Sequence, residues 1–229
     1  MDKASELLRI AERILARTKL LQQPEEEVAM LASMKPEALK SLETDNVKKA
    51  FWINIYNSFF LLLAKKGISR KDLFSARAID IAGILWTLDE IEHGILRKNK
   101  IKISFGYLSN PFGKRRFKQY MLQKQDFRIH FALNCGVKGC PPIAFYASDK
   151  IERQLDLATA SFLELDSILD HENKIMRVSR LFYWYHADFG GSKGIRKIHS
   201  QHLETDFARY TIKFRSYDFT EALDNFADF

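Results

Sequence analysis

Two cysteines, five prolines and ten glycines in 229 residues exclude several architectures at once. Two cysteines cannot build the disulfide framework that holds small secreted domains, and a chain this long does not need one. Glycine and proline are too sparse for collagen-like or low-complexity chains, and no internal repeat is present. No apolar run reaches the ~20 residues of a bilayer span. The longest, residues 51–64, is interrupted by Asn54, Asn57 and Ser58. The N-terminal stretch "MDKASELLRIAERILARTKLL" mixes charges and has no continuous apolar segment, so no signal peptide and no membrane span are expected. The expected location is cytoplasmic, and there Cys135 and Cys140 are expected to be free thiols.

Hydrophobic residues make up 46%, among them 18 Phe, which is ample for a folded core. The net charge is +7. Its densest clusters, "RKNKIK" (97–102) and "GKRRFK" (113–118), flank "ISFGYLSNPF" and can share one surface. No nucleic-acid motif accompanies them. Nucleic acid is therefore not expected as a partner; a solvated basic face is the ordinary expectation, and contact with nucleic acid or an acidic lipid is the lesser alternative.

The periodicities predict one α+β domain with an N-terminal helical layer: residues 1–45 as the layer and 46–229 as the α+β part. "SELLRIAERILARTKLL" carries a helical stripe. Pro24 and Pro36 each open a helix. A helix from about Val47 to Lys66 is apolar nearly all round and must be buried, with Gly67 as its stop. Inside it, Asn54 and Asn57 lie three apart; they either pin loop backbone or line a pocket. "AIDIAGILW" (78–86) is strand-like. Thr87 with Glu90 forms a T-x-x-E capping box for a helix carrying Asp89, Glu92, His93 and Arg97. A short helix is expected over 115–123. "FRIHFALNC" alternates in the strand period and is expected as a strand of a central mixed sheet, with Cys135 and His130 on opposite faces. Further on come a helix (151–166), a strand ("NKIMRVS"), an aromatic helix ("RLFYWYHADF"), another helix and a strand-like tail ("KFRSYDF").

The stretch "RIHFALNCGVKGCPP" concentrates the candidate chemistry. Cys135 ends the predicted strand beside Gly136, where a turn can expose its sulfur. A nucleophilic Cys needs a lowered pKa and a base. His93 or His130 is the candidate base, Glu92 or Asp89 its orienter. Asn54, Asn57, Arg97 and Arg128 are candidate binding contacts. Cys140, before Pro141-Pro142, reads as structural. The C-x4-C spacing lacks the second compact pair of a structural zinc site and is not the C-x-x-C of redox catalysis, so no metal and no cofactor are expected. A Cys135–Cys140 disulfide is possible only if the two Cα atoms approach within ~6–7 Å. His186 reads as packed with its tip at the surface; His199 and His202 read as a solvated face.

Four pieces in order, "AFWINIYNSF" (50–59), "LDEIEHGILR" (88–97), "RIHFALNCGVKGCPPI" (128–143) and "YWYHADFG" (183–190), resemble the domain of unknown function 547 family. Phe127 stands where that family usually has Pro, and the tail "YDFTEALDN" departs from its "YDW" pattern. The resemblance implies no activity. Plant members that carry the domain beside leucine-zipper, DEP or glutaredoxin-like segments point to scaffolding or thiol chemistry. A weaker, architectural resemblance is to the papain/transglutaminase arrangement, whose nucleophile begins the central helix; here that helix has no Cys. Two functions follow as expectations. One is a cysteine-dependent hydrolase or acyl transferase acting on amide or thioester-like bonds of a small molecule or peptide. The other is a non-catalytic domain that binds a protein partner or regulates.

Overall fold

The computed structural model describes residues 2–227, the side chains of 114 and 115 excepted. The chain is α+β. Helices α1 (Lys3–Lys19), α2 (Glu25–Ser33) and α3 (Asp45–Lys65) come first, with a 3-10 turn Pro36–Ser41 between the last two. Asp2 caps α1, and Thr44 caps α3 by accepting from the Val47 N–H. Helix α3 is the axis of the fold. Phe51, Trp52, Ile53 and Ile55 have no exposure, so no face of this helix is free for solvent over that stretch. Burying each such side chain is worth ~1.5–3 kcal/mol before entropy is counted. Helix α1 lies along α3 and shares its apolar cluster.

After the single turn α4 (Arg70–Leu73), the stretch expected as one strand is a hairpin, β1 (Ile79–Ile81) with β2 (Ile84–Trp86). Its two-residue turn, Ala82-Gly83, has φ of 55° and 71°. Two left-handed residues match the twist of a tight hairpin, which is why the apolar run folds back on itself. A π-helical segment Glu90–Leu96 follows, then the short α5 (Lys114–Phe117). The helix expected over 115–123 thus ends early, and turns replace its second half.

The stretch 129–133 is no strand. Residues Phe127–Phe131 form a 3-10 helix started by Asp126, whose side chain accepts from the Arg128 N–H. Ile129, His130, Phe131, Ala132 and Leu133 are all buried, so the alternation of types did not correspond to an inside and an outside face. This helix sits at a seam. Ile129 and Ala132 pack with the α1–α3 cluster, whereas Phe131 packs with a second cluster. That second cluster is built by α6 (Ile151–Asp166), β3 (Ile168–Asp170), β4 (Ile175–Val178), α7 (Leu181–Trp184), α8 (Gly191–His202) and β5 (Thr211–Phe214). The sheet is mixed: β4 pairs antiparallel with β3 and parallel with β5. His199, expected on a solvated face, is fully buried against Phe182 and Phe207. No helix among the described residues is long and apolar enough to cross a membrane.

The capping box is present in both halves. The Glu90 N–H donates to Thr87 Oγ1 at 3.0 Å, and the Thr87 N–H donates to Glu90 Oε2 at 3.1 Å. Thr87→Ala is expected to cost ~1 kcal/mol of stability. Urea unfolding of the variant beside wild type measures it, and superimposable curves would rule the cap out as a stabilising element.

Candidate functional site

The site begins with the π-helical segment. Its wide turn is closed by the Arg97 N–H donating to Glu92 O at 2.8 Å and the Asn99 N–H donating to Gly94 O at 3.0 Å. Such turns recur at functional positions because they present side chains an α-helix would not. Gly94 is required by a neighbour: a Cβ there would lie 2.9 Å from the Phe117 ring.

This segment delivers Glu92, His93 and Arg97 to a buried charge cluster. Arg97 Nε donates to Asp188 Oδ2 at 2.6 Å, and neither side chain has any exposure. His130 Nε2 lies 2.9 Å from the same oxygen and its ring stacks on Tyr185. The Arg97 guanidinium also rests over the Tyr185 ring, 4.6 Å from its centre. Arg97 Nη1 lies 2.9 Å from His93 Nδ1. A guanidinium only donates, so His93 Nδ1 accepts and Nε2 carries the proton. That Nε2 is buried without a hydrogen-bond partner; Asp89 Oδ1 is 3.6 Å away. Glu92 accepts from the Tyr185 hydroxyl at 2.7 Å and from the Tyr56 hydroxyl at 3.1 Å.

Burial disfavours charge on all of these groups, and their neighbours decide which keep it. For Glu92 burial is outweighed by its neighbours, among them the Arg97 guanidinium and the Tyr185 hydroxyl, which hold its carboxyl below the usual range. Asp188, with His130 and Arg97 on it, is held well below that range despite burial. Burial pushes His93 and His130 down, against the pull of Glu92 on the first and Asp188 on the second. At neutral pH the cluster therefore holds two carboxylates, one guanidinium and two neutral imidazoles.

Glu92 and His93 line a cleft of about 610 Å³. Its walls are aromatic, with Tyr56, Phe74, Phe105, Tyr183, Trp184 and Tyr185, and the exposed cations Arg70 and Lys102 border it. Cys135 also lines it. Cys135 and Cys140 are joined in a disulfide with Cα atoms 6.2 Å apart, which corrects the expectation of free thiols. The tight loop makes this possible. Asn134 donates to Pro141 O and accepts from the Gly136 N–H, and Gly136 takes φ of +74° where a Cβ would strike Phe60. Cys140 is buried, while Cys135 is half-buried with Arg70 Nη2 4.0 Å from its sulfur. A smaller cavity of about 50 Å³ behind the cleft is lined by His130, Cys135 and Cys140 together with Glu92.

The structure thus brings Cys135, Glu92 and His93 to one cleft, with His130 and Arg97 behind it. It does not bring Asn54, Asn57 or Arg128 there. Asn54 donates to Tyr146 O and accepts from the Tyr146 N–H; Asn57 does the same between Ala132 O and the Asn134 N–H. Both amides are fully buried, and the second fixes the irregular stretch leading to Cys135. Arg128 binds Asp126, Glu152 and Asp156 along a separate cavity. No imidazole is within hydrogen-bond reach of Cys135 Sγ among the described residues, and no group of three His, Cys, Asp or Glu there could hold a metal ion. Sequence reasoning missed Tyr56, Tyr185 and Arg70. For Tyr185 a signal existed: a buried Glu on an apolar helix demands donors, and "YWYHADF" supplies hydroxyls.

A family model described as "Protein of unknown function, DUF547" matches residues 39–163, more than half of the chain. No curated protein and no solved structure matches, so the papain/transglutaminase resemblance gains no support from one.

Two outcomes follow from the cluster. Asp188→Asn removes the carboxylate that Arg97 pairs with directly and is expected to cost ~3–5 kcal/mol in urea unfolding; a loss under ~1 kcal/mol would mean the pair does not hold the two halves together. Acid should also destabilise. The folded values of His93 and His130 lie below the unfolded ~6.5, and that of buried His199 is pushed down to about 4. Below pH ~6.5 the unfolded chain therefore takes up protons the folded chain refuses, and stability falls as pH falls. An unfolding midpoint equal at pH 7 and pH 5 would contradict this.

Proposed function

The chain belongs to the DUF547 family, and on that premise we propose that its aromatic cleft carries out thiol-dependent acyl chemistry, as a cysteine hydrolase or acyl transferase. The observation that supports this reading is the meeting of Cys135, Glu92 and His93 on one cleft from separate segments. The disulfide is the resting state. A dithiol reductant opens it by supplying two electrons, leaving two thiols and its own disulfide. Arg70, already near the sulfur, then favours the Cys135 thiolate.

The thiolate attacks the acyl carbon, an S–C bond forms, and the acyl oxygen gains negative charge. His93 Nε2–H is the donor for that oxygen. Collapse expels the leaving group and gives an acyl-enzyme. Water then yields the carboxylic acid and the thiol, or another nucleophile takes the acyl group. The tautomer favours a thioester over an amide. A leaving thiolate needs no proton, whereas an amine does, and His93 cannot give up its Nε2 proton while Arg97 occupies Nδ1. His93 is thus a neutral donor rather than the base that its spacing suggested. His130 acts through Asp188 and Arg97 as a positioning residue.

The closed disulfide favours a second reading, in which the cleft binds a peptide or small molecule without reacting. One experiment separates them: iodoacetamide labelling and acylation by a short-chain acyl thioester, followed by intact mass, with and without dithiol. The catalytic reading expects one fast-labelling thiol at pH values well under the ~8.5 of free cysteine, lost in Cys135→Ser. In His93→Gln, alkylation persists while acylation slows by roughly 10²–10³-fold, the effect of losing one oxyanion donor. If reduced Cys135 labels only after denaturation, the site does not act as a nucleophile and the binding reading stands.

A further inference from the structure

The loop that borders the cleft also faces outward. Between residues 99 and 110 the chain makes a closed excursion: the Asn110 N–H donates to Asn99 O and the Ile101 N–H to Leu108 O. Turns inside it are pinned, the Tyr107 N–H donating to Ser104 O, and the Ala187 N–H donates to Phe105 O from the body of the protein. Phe105 packs on Tyr183, and Tyr107 Oη lies 2.7 Å from His186 Nδ1. The loop is therefore held in one shape. Yet Ile103 is 85% exposed, Leu108 61%, Tyr107 60% and the nearby Phe112 91%. Large apolar side chains held outward on an ordered loop mark an interaction surface.

The charge around this loop selects the partner. From Arg97 to Lys124 there are nine Lys or Arg and no Asp or Glu. Set against the chain total of +7, that leaves the remaining residues at net −2, so the protein's positive charge resides in this one segment. Some of it is engaged: Arg97 with Asp188, Lys102 with Asp89, Arg116 with Glu90, and Lys98 with Gln123 O. Three acids, Asp188, Asp89 and Glu90, meet three of the nine charges, Arg97 being buried on the first, and six remain in excess. A protruding apolar tip set in a basic field is the chemistry of an interfacial anchor: the tip enters the acyl boundary and the cations meet the headgroups.

We infer that the 99–118 segment docks the protein on an anionic lipid surface, with Ile103, Leu108 and Phe112 inserting and Lys100, Lys102 and Lys118 contacting headgroups. The cleft then opens beside that surface, since Lys102, Ile103 and Phe105 belong to its lining. This departs from the solvated basic face expected from the clusters alone; the outward apolar tip is what changes the reading. The inference does not depend on the thiol chemistry.

The test is co-sedimentation with phosphatidylcholine vesicles, with and without phosphatidylserine, for wild type, Cys135→Ser and the double variant Ile103→Ser/Leu108→Ser. Both substituted tip positions are exposed, so the fold should be retained, and unfolding curves verify it. Wild type and Cys135→Ser are expected to bind the phosphatidylserine vesicles, bind phosphatidylcholine alone far less, and release as salt rises. The double variant should partition at least roughly tenfold more weakly, from the loss of two buried apolar side chains. No binding, equal binding to both vesicle types, or an undiminished double variant would overturn the inference. So would a wild-type dimer in analytical ultracentrifugation that the double variant abolishes while vesicles bind neither protein; the tip would then be a self-association surface.

Discussion

The ion pair between Arg97 and Asp188 joins residues 91 apart in the chain, and the rest of the site is arranged around it. Arg97 ends the π-helical segment of the α1–α3 half. Asp188 lies in the turn after α7, in the other half. A buried ion pair gains little over apolar packing, because desolvating both charges offsets their attraction. What this one supplies is position. With Nε on Asp188 and Nη1 on His93, the guanidinium plane is fixed, and it forms a platform over Tyr185. The second carboxylate, Glu92, leaves the cluster one negative charge in excess. Two tyrosine hydroxyls turn onto Glu92 and, at the nearly buried floor of the cleft, solvate the charge that Arg97 does not balance.

The disulfide loop is held just as firmly, by a different part of the chain. The C-terminal strap pairs with it through the Lys138 N–H on Thr220 O, the Gly139 N–H on Asp218 O and the Ala222 N–H on Gly136 O. The Tyr217 hydroxyl donates to Cys140 Sγ, and its ring lies 3.0 Å from where a Cβ on Gly139 would be. Cys140 is thus clamped among neighbours. Cys135, half-buried and without such a clamp on its sulfur beyond Arg70, is the half of the bridge that meets the cleft. The two cysteines are chemically alike and sterically unequal, and the inequality comes from a strap some 80 residues further on.

Local signals in the sequence carried the parts of the fold that local energetics decide. The all-round apolar helix, the T-x-x-E cap, the helix 151–166 and the strand around Met176 formed as their patterns required, because each is settled by neighbours within a turn or two. Residues 127–133 did not follow their pattern. Every side chain from Ile129 to Leu133 is buried, so alternation of residue type had no solvent side to report, and the Asp126 cap tipped the backbone into a 3-10 turn. The hairpin at Ala82-Gly83 was hidden for a related reason: Ala in a left-handed conformation gives no turn signal. In the site, Glu92, His93 and Cys135 were legible as residue types that carry chemistry. Tyr56 and Tyr185 were not, since their roles exist only once Glu92 is buried between them.

His93 shows how a spacing can be read correctly while the contact that places its proton lies elsewhere. Residues 89, 93 and 97 lie four apart, and a carboxylate, an imidazole and a guanidinium in that order suggest a base oriented by Asp89. The spacing holds, but the decisive contact is on the other side. Arg97 donates to Nδ1 because Asp188 holds the guanidinium at that angle, and the imidazole's lone pair is spent inside the protein. Its proton is left on Nε2, the nitrogen with no internal hydrogen bond. The nitrogen on which His93 carries its proton is thus set by a carboxylate 95 positions later, absent from the helix that carries His93.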